Sequence, residues 1–151
     1  MSYFVVRQKD PLTAFSFYLE LLGMPKEEFR EVSGLGSDQP TIDMVLPLPR
    51  GLSVRVKAPG RAKFQDITFK RPVTDSTTLA TWYLLASSGG IDLARKSGSI
   101  VLYGQDGTER ARWNFFNAWP TKYSQSSLIA TANEVAIEEL TITYEYLLRV
   151  R

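Results

Sequence analysis

The nearest approach to a catalytic pair in this chain is Glu138-Glu139, two adjacent carboxylates of the type that general acid–base chemistry uses. Neighbouring residues of a strand point to opposite faces, so the pair converges on one substrate atom only if the backbone bulges there. Together with Glu134 they read better as surface charge that meets the basic segment of a neighbouring molecule. The chain has no Cys and no His. Thiolate and imidazole ligands, thiol nucleophiles and the Ser-His-Asp arrangement are therefore excluded. Nothing beyond unpaired carboxylates argues for an enzyme, and no metal or cofactor site is expected.

Two further constellations carry the argument. Trp82, Trp113, Trp119 and Tyr123 could stack bases or sugars, but such residues more often pack a core or a subunit contact. Trp119-Pro120, with Trp113 leading into it, reads as a rigid structural corner. Gly34-Leu35-Gly36 lacks the Lys-Ser/Thr and the helix of a phosphate loop. From Arg50 to Arg71 there are seven basic residues against one acidic residue, Asp66. From Asn133 to Leu147 there are four Glu and no basic residue. Opposite charges on one chain suit head-to-tail contact between copies, since they fix register.

The elements that must hold these residues are mostly strands. In Thr13–Leu21, Phe15, Phe17, Leu19 and Leu21 alternate with Ser16, Tyr18 and Glu20, the period of a half-buried strand. A short strand, Phe29–Ser33, follows. Residues 41–58 predict a hairpin arm: Ile42, Met44 and Leu46, then Leu52, Val54, Val56 and Ala58, alternate with polar positions around a Pro-Leu-Pro-Arg-Gly bend. A lone hairpin is marginal in water, so the arm must pack against something. Phe64–Arg71 is another strand. One helix is expected at about 76–88, capped by Asp75 or Ser76, with Leu79, Trp82, Leu85 and Ala86 on one stripe and Gly89-Gly90 as its stop. Ser99–Gly104 and Arg110–Phe116 flank a Gln-Asp-Gly turn. In the last strand, Asn133–Leu147, Val135 and Ile137 share one parity and Leu140, Ile142, Tyr144 and Tyr146 the other. That conflict predicts a β-bulge at Glu138-Glu139.

At 151 residues the chain is expected to form a single domain, residues 1–151. The fold class is mainly β: an antiparallel β-sandwich or barrel with one α-helix packed on it and the extended arm. The net charge of +2 is mild. No apolar run reaches the roughly 20 residues of a membrane span, so no membrane insertion and no signal peptide are expected.

Three stretches also carry a family likeness. Phe29-Arg30-Glu31-Val32-Ser33-Gly34-Leu35 resembles the F-x-E-V-S-G-L element of the tail tube proteins of contractile phage tails. Lys63–Arg71, followed by Asp75, Leu79 and Trp82, resembles their I-T-L-K-R-G … D … L … W stretch. Arg112-Trp113, Asn117-Ala118-Trp119-Pro120, Lys122 and Asn133–Glu138 are similar to their C-terminal signature. The likeness covers most of residues 11–147. It departs at Pro72, where the family has Gly, and over 36–62. The inner tubes of extracellular contractile injection systems belong to the same family, and the haemolysin-coregulated protein of type VI secretion is related in fold.

The resemblance implies homohexameric rings, joined edge to edge and stacked into a hollow tube inside a contractile sheath. The implied partners are further copies of the chain, a sheath protein, baseplate or tube-initiator proteins and a tube terminator, with DNA or effector protein as transient lumen cargo. The implied setting is assembly in a bacterial cytoplasm and residence in a phage virion or an extracellular injection particle. Under this reading Arg50, Val54, Arg55, Val56 and Lys57 form an inter-ring contact. Glu134, Glu138 and Glu139 are its acidic counterpart, and Ser16, Tyr18, Glu20, Thr141, Thr143 and Glu145 line the lumen. The alternative is a monomeric β-barrel module that binds single-stranded nucleic acid or carbohydrate through the aromatics and the basic hairpin.

Overall fold

A computed structural model describes residues 16–126 and 135–151 of the chain. Strands β1 (Ser16–Leu21), β2 (Glu27–Phe29) and β3 (Glu31–Ser33) come first. The pieces β4 (Ser37–Asp38), β5 (Thr41–Pro47), β6 (Ser53–Pro59), β7 (Lys63–Phe64) and β8 (Ile67–Pro72) follow. Helices α1 (Thr78–Ser87) and α2 (Ile91–Ala94) lead to β9 (Lys96–Tyr103), β10 (Glu109–Gln125), β11 (Ile137–Thr143) and β12 (Tyr146–Arg149).

The main sheet runs β2-β1-β9-β10-β11-β8-β3, with β12 also paired to β10, and its pairings are antiparallel. Its two ends, β2 and β3, are separated by Arg30 alone, whose N–H donates to the Lys70 carbonyl at 3.0 Å. The strand path therefore returns on itself as a barrel. Inside it Leu19, Phe29, Ile67, Phe69, Ile100, Phe115, Leu140 and Ile142 form one core, closed over by Leu79 and Trp82 of α1. Strands β1, β8 and β11 alternate buried with partly exposed positions, as a sheet with one buried face requires, whereas Ile100, Val101 and Leu102 of β9 are buried on both faces.

Helix α1 lies inside the span its periodicity predicts, and its Leu79–Trp82–Leu85–Ala86 stripe meets the core. The N-cap position is Thr77, which makes no side-chain cap bond. Ser76, one residue earlier, accepts the Thr78 N–H in a long bond of 3.5 Å, and its hydroxyl donates to Glu27 Oε1 at 2.8 Å. Gly89, at φ +94°, provides the stop. The short α2 was not anticipated. The Trp82 indole N–H pins it by donating to the Ala94 carbonyl at 2.7 Å.

Three expectations about strands change. First, Asn117-Ala118-Trp119-Pro120 is not a corner between elements but lies within the single strand β10. That strand pairs with β9 up to Ala118 and with β11 from Trp119 onward. Asn117 sits at φ +52°, and the register slips between Pro120 and Lys122. Pro120 has no N–H to give the ladder, so the irregularity falls beside it. Second, β11 carries no bulge at Glu138-Glu139: Glu138 and Glu139 pair in unbroken register with Arg71 and Lys70. The parity conflict is resolved by exposure, because Val135 and Ile137 face outward while Leu140, Ile142 and Tyr144 face the core. Third, the final strand is broken at Tyr144-Glu145 into β11 and β12.

The arm is an outgrowth of the barrel. The ladders β3–β8, β4–β7 and β5–β6 succeed one another along a single two-stranded ribbon. Gly34, at φ +89°, lies where the ribbon leaves the barrel. A side chain there would fall on the Asp66 carbonyl, so the two backbones come this close only at a glycine. The closure leaves the main-sheet ends β2 and β3 side by side, each paired to one neighbour, β1 and β8 respectively. Among the described residues, the arm strands pair only with each other and β12 pairs only with β10.

Candidate assembly interface

The arm presents two chemically different faces. Directly opposed residues of an antiparallel pair share a face. Ile42–Ala58, Met44–Val56 and Leu46–Val54 are such pairs, and all are apolar. Thr41–Pro59, Asp43–Lys57, Val45–Arg55 and Pro47–Ser53 make the opposite face. Beyond them Leu48 and Leu52 flank a bend in which Arg50 takes φ +66°. Ile42, Met44, Leu46, Leu48, Leu52 and Val54 are all exposed. Thus Val54 and Val56 lie on the apolar face, Arg55 and Lys57 on the polar one, and Arg50 at the bend. A continuous apolar strip of this kind on a projecting ribbon has no partner within the described chain, and such strips mark contact sites.

The expected acidic counterpart is arranged otherwise. Glu134 lies outside the described residues. Glu139 is on the outer wall, beside Lys70 in the ladder. Glu138 does not face a neighbour: it is 2% exposed and bonded to Arg71, itself 3% exposed. Arg71 Nε donates to Glu138 Oε2 at 2.7 Å and Nη1 to Glu27 Oε2 at 2.5 Å. The Tyr123 hydroxyl donates to the second oxygen of Glu138, and Ser76 to the second oxygen of Glu27. One buried cation thus ties β2, β8, β10, β11 and the approach to α1 together where the barrel closes. Burial alone would lower the Arg71 pKa, but the bonds to Glu138 and Glu27 outweigh it and raise it. Burial first, and the Glu138 contact second, push the Tyr123 hydroxyl up. Sequence reasoning missed this cluster. The available signal was parity: Arg71 follows Ile67 and Phe69, and Glu138 precedes Leu140 and Ile142, on the core-facing register of their strands.

The lumen candidates fall on two walls. Ser16, Tyr18 and Glu20 point away from the core on β1, opposite Tyr103, Val101 and Ser99. Thr141 and Thr143 point away from it on β11. Strands β1 and β11 stand across the barrel, with β9 and β10 between them one way and β8 and the Glu27–Ser33 stretch the other. The two sets therefore face in opposite directions, and a single lumen takes only one. Glu145, at the bend before β12, accepts from the Asn117 amide at 2.8 Å.

The two walls also differ in chemistry. On the β1 wall Glu20 is held by Lys26 at 3.1 Å and Arg112 at 3.1 Å, and Arg112 reaches Glu109 at 2.8 Å. Burial tends to raise the Glu20 carboxyl, yet its bonds to Lys26 and Arg112 hold it below the ordinary value. Beside them Tyr18 and Tyr103 meet edge to face and border an open hollow with Lys26. The β11 wall is flatter, with rows Ser33–Thr68–Thr141–Lys122 and Glu31–Lys70–Glu139–Ser124 running across four strands in register. Thr68 and Thr141 share a hydroxyl bond of 3.2 Å.

The aromatics do not assemble into a platform. Trp82 is buried, Trp113 packs on the core beneath Arg149, and Tyr123 is bonded to Glu138. Trp119 lies on the outer wall under Arg95.

Comparison with known proteins places this geometry. The family described as T4-like virus tail tube protein gp19 matches residues 13–148. Among solved structures, the sheath-tube complex of PVC, an extracellular contractile injection system, aligns at 28% identity and TM-score 0.74, covering 92% of this chain and 90% of that one. The tube terminating cap of the anti-feeding prophage aligns at 26% identity and TM-score 0.74, covering 95% and 93%. Hcp1 from Flavobacterium johnsoniae shares the fold at 18% identity and TM-score 0.51, covering 90% and 95%. No curated protein sequence matches significantly. With its match running almost from end to end, the chain belongs to the T4-like virus tail tube protein family.

Proposed function

We propose that copies of this chain form homohexameric rings that stack into the hollow inner tube of a contractile tail or injection particle. The observation that carries this reading is the arm: an exposed, apolar-faced ribbon that prolongs barrel strands beyond the barrel. It reaches the adjacent ring and buries there what the single chain leaves in water. Head-to-tail contact of this kind closes into a ring by rotation and grows into a filament by translation. The role is mechanical and non-enzymatic. A sheath protein surrounds the tube and a terminator protein ends it, as in the complexes of the similar structures, and baseplate proteins close the other end. The lumen conducts DNA or effector protein.

Of the two walls, the β11 wall suits the lumen. Its hydroxyls pair, the carboxylates of Glu31 and Glu139 are balanced by Lys70 and by Lys122 of the neighbouring row, and its strands run toward the next ring with the arm. A moving polymer finds little there to hold it. The β1 wall, with its hollow and ionic cluster, suits a docked protein on the outside.

Electron microscopy of the purified protein in negative stain, over a range of concentrations and salts, tests the assembly. Rings or stacked hollow tubes are the expected result. Small monodisperse particles under every condition, with and without baseplate components, would refute it. The walls are separated by cysteine placement, since the natural chain has none. In assembled tubes, Thr141→Cys is expected to react with a small maleimide but not with one on a large bead, and Tyr18→Cys with both. The reverse pattern exchanges the walls.

A further inference from the structure

The arm needs a receiving surface, and the exposed residues Val135 and Ile137 need a reason to be apolar. We infer that the two requirements answer one another. The apolar face of the arm of one copy docks on a patch formed by Pro72, Val73, Val135 and Ile137 of the next copy. This inference rests on the stacked-ring reading and names its contact.

The patch is a product of register. Ile137 stands opposite Pro72 at the last rung of β8–β11, and the Val73 N–H continues the ladder to the Ala136 carbonyl at 3.0 Å. Val73 is 40% exposed, Val135 65% and Ile137 37%. Strand β11 alternates cleanly, and its inward positions Glu138, Leu140 and Ile142 already satisfy the barrel. Val135 and Ile137 stay exposed on the outer face among the described residues, and exposed apolar residues grouped in this way mark a contact site.

Position along the strands makes the occupant a second copy in head-to-tail order. The arm leaves the barrel beyond Ile67, at the start of β8, and the patch lies at its other end, beyond Pro72. Six residues of strand separate them, about 20 Å at roughly 3.3 Å per residue. The protein thus has an apolar projection at one end and an apolar landing at the other, the arrangement that propagates along an axis. Charge agrees in sign. Asp75 lies two residues past Val73, and Glu139 shares the outer face with Ile137. The arm brings Arg50 at its bend, while Arg55 and Lys57 lie on its opposite, polar face. Apolar contact supplies the affinity and the charges fix the register.

The test uses the full chain in its assembled form. A double variant, Val54→Cys with Ile137→Cys, is treated with a short bis-maleimide after assembly. The expected product is a ladder of linked chains on a denaturing gel, because each copy is joined to the next. Either single variant gives no ladder. In parallel, Ile137→Asp and Val73→Asp are expected to give rings that do not stack. Tubes of normal length from Ile137→Asp, with no ladder from the double variant, would overturn the receiving patch. If Val54→Asp still prevents stacking in that case, the arm's role stands and only its landing site is wrong. If Val54→Asp also stacks normally, the arm reading itself fails. Should Ile137→Asp give no rings at all, the ladder alone decides: its presence supports the contact and its absence overturns it.

Discussion

Arg71→Ala is expected to destabilise the fold by about 3–5 kcal/mol, the cost of leaving buried carboxylates without their cation. Glu138 and Glu27 would then face each other across the barrel seam with only Tyr123 and Ser76 as donors. Two comparisons make the result specific. Lys70→Ala, one residue away on the outer wall, is expected to cost less than about 1 kcal/mol, as the loss of a partly exposed surface charge does. Neutralising the whole cluster, with Arg71→Met, Glu27→Gln and Glu138→Gln together, is expected to recover most of the loss. Breaking one partner is costlier than removing all the charge. Urea midpoints at two protein concentrations separate the fold from the assembly, because association itself stabilises folded copies. A midpoint for Arg71→Ala no lower than that for Lys70→Ala would show that the seam does not depend on this cation.

Val54→Asp in the arm is expected to act in the opposite manner, sparing the fold and abolishing the tube. Val54 is exposed in the single chain, so a carboxylate there meets water and changes stability by about 0.5 kcal/mol or less. In a stacked ring the same carboxylate is buried against apolar surface. An unpaired buried charge costs several kcal/mol. That penalty recurs at every subunit of a ring-to-ring contact, so stacking is expected to fail completely. Val56→Asp, on the same face, should behave alike, whereas Lys57→Ala, on the polar face, should still stack. Microscopy reads the outcome as isolated rings against tubes. Tubes of normal length from Val54→Asp would remove the arm from the inter-ring contact.

Alternation made most of this architecture legible. Leu19, Ile67, Phe69, Leu140 and Ile142 show their inward parity without any structure, and the 41–58 arm declares itself by two apolar rows around a Pro-Gly bend. What alternation cannot reveal is which partner a strand takes. β10 changes partner in mid-strand, from β9 to β11, and the sequence marks that change with an Asn-Ala-Trp-Pro run that looks like a corner. The closing of the barrel was hidden for the same reason. It depends on a three-residue strand passing through Arg30 into another three-residue strand, each too short to show a period. Of the assembly surfaces, the arm was visible because its apolar face is continuous. The buried Arg71 cluster was not, because its members come from four strands far apart in the chain. A sequence shows that a Glu sits at an inward parity, but only the fold shows which cation waits there. The supposed bulge fell to a similar ambiguity: two parities in one strand signal either an extra residue or apolar residues on the outer face, and the structure shows Val135 and Ile137 exposed on that face.

The continuity of the ribbon from β3 and β8 into the arm determines how the molecule carries load. In the proposed tube, a push from one end would enter each copy at the arm and travel along β3 and β8. Within the barrel the bonds from β8 to β11 lie crosswise to that force. They are loaded in shear and share the stress, rather than opening one after another as in a ribbon peeled from its tip. In that assembly thrust would pass from copy to copy through backbone under axial compression, and the Gly34-Leu35-Gly36 interruption would be the first break in the ladder between barrel and arm on that side.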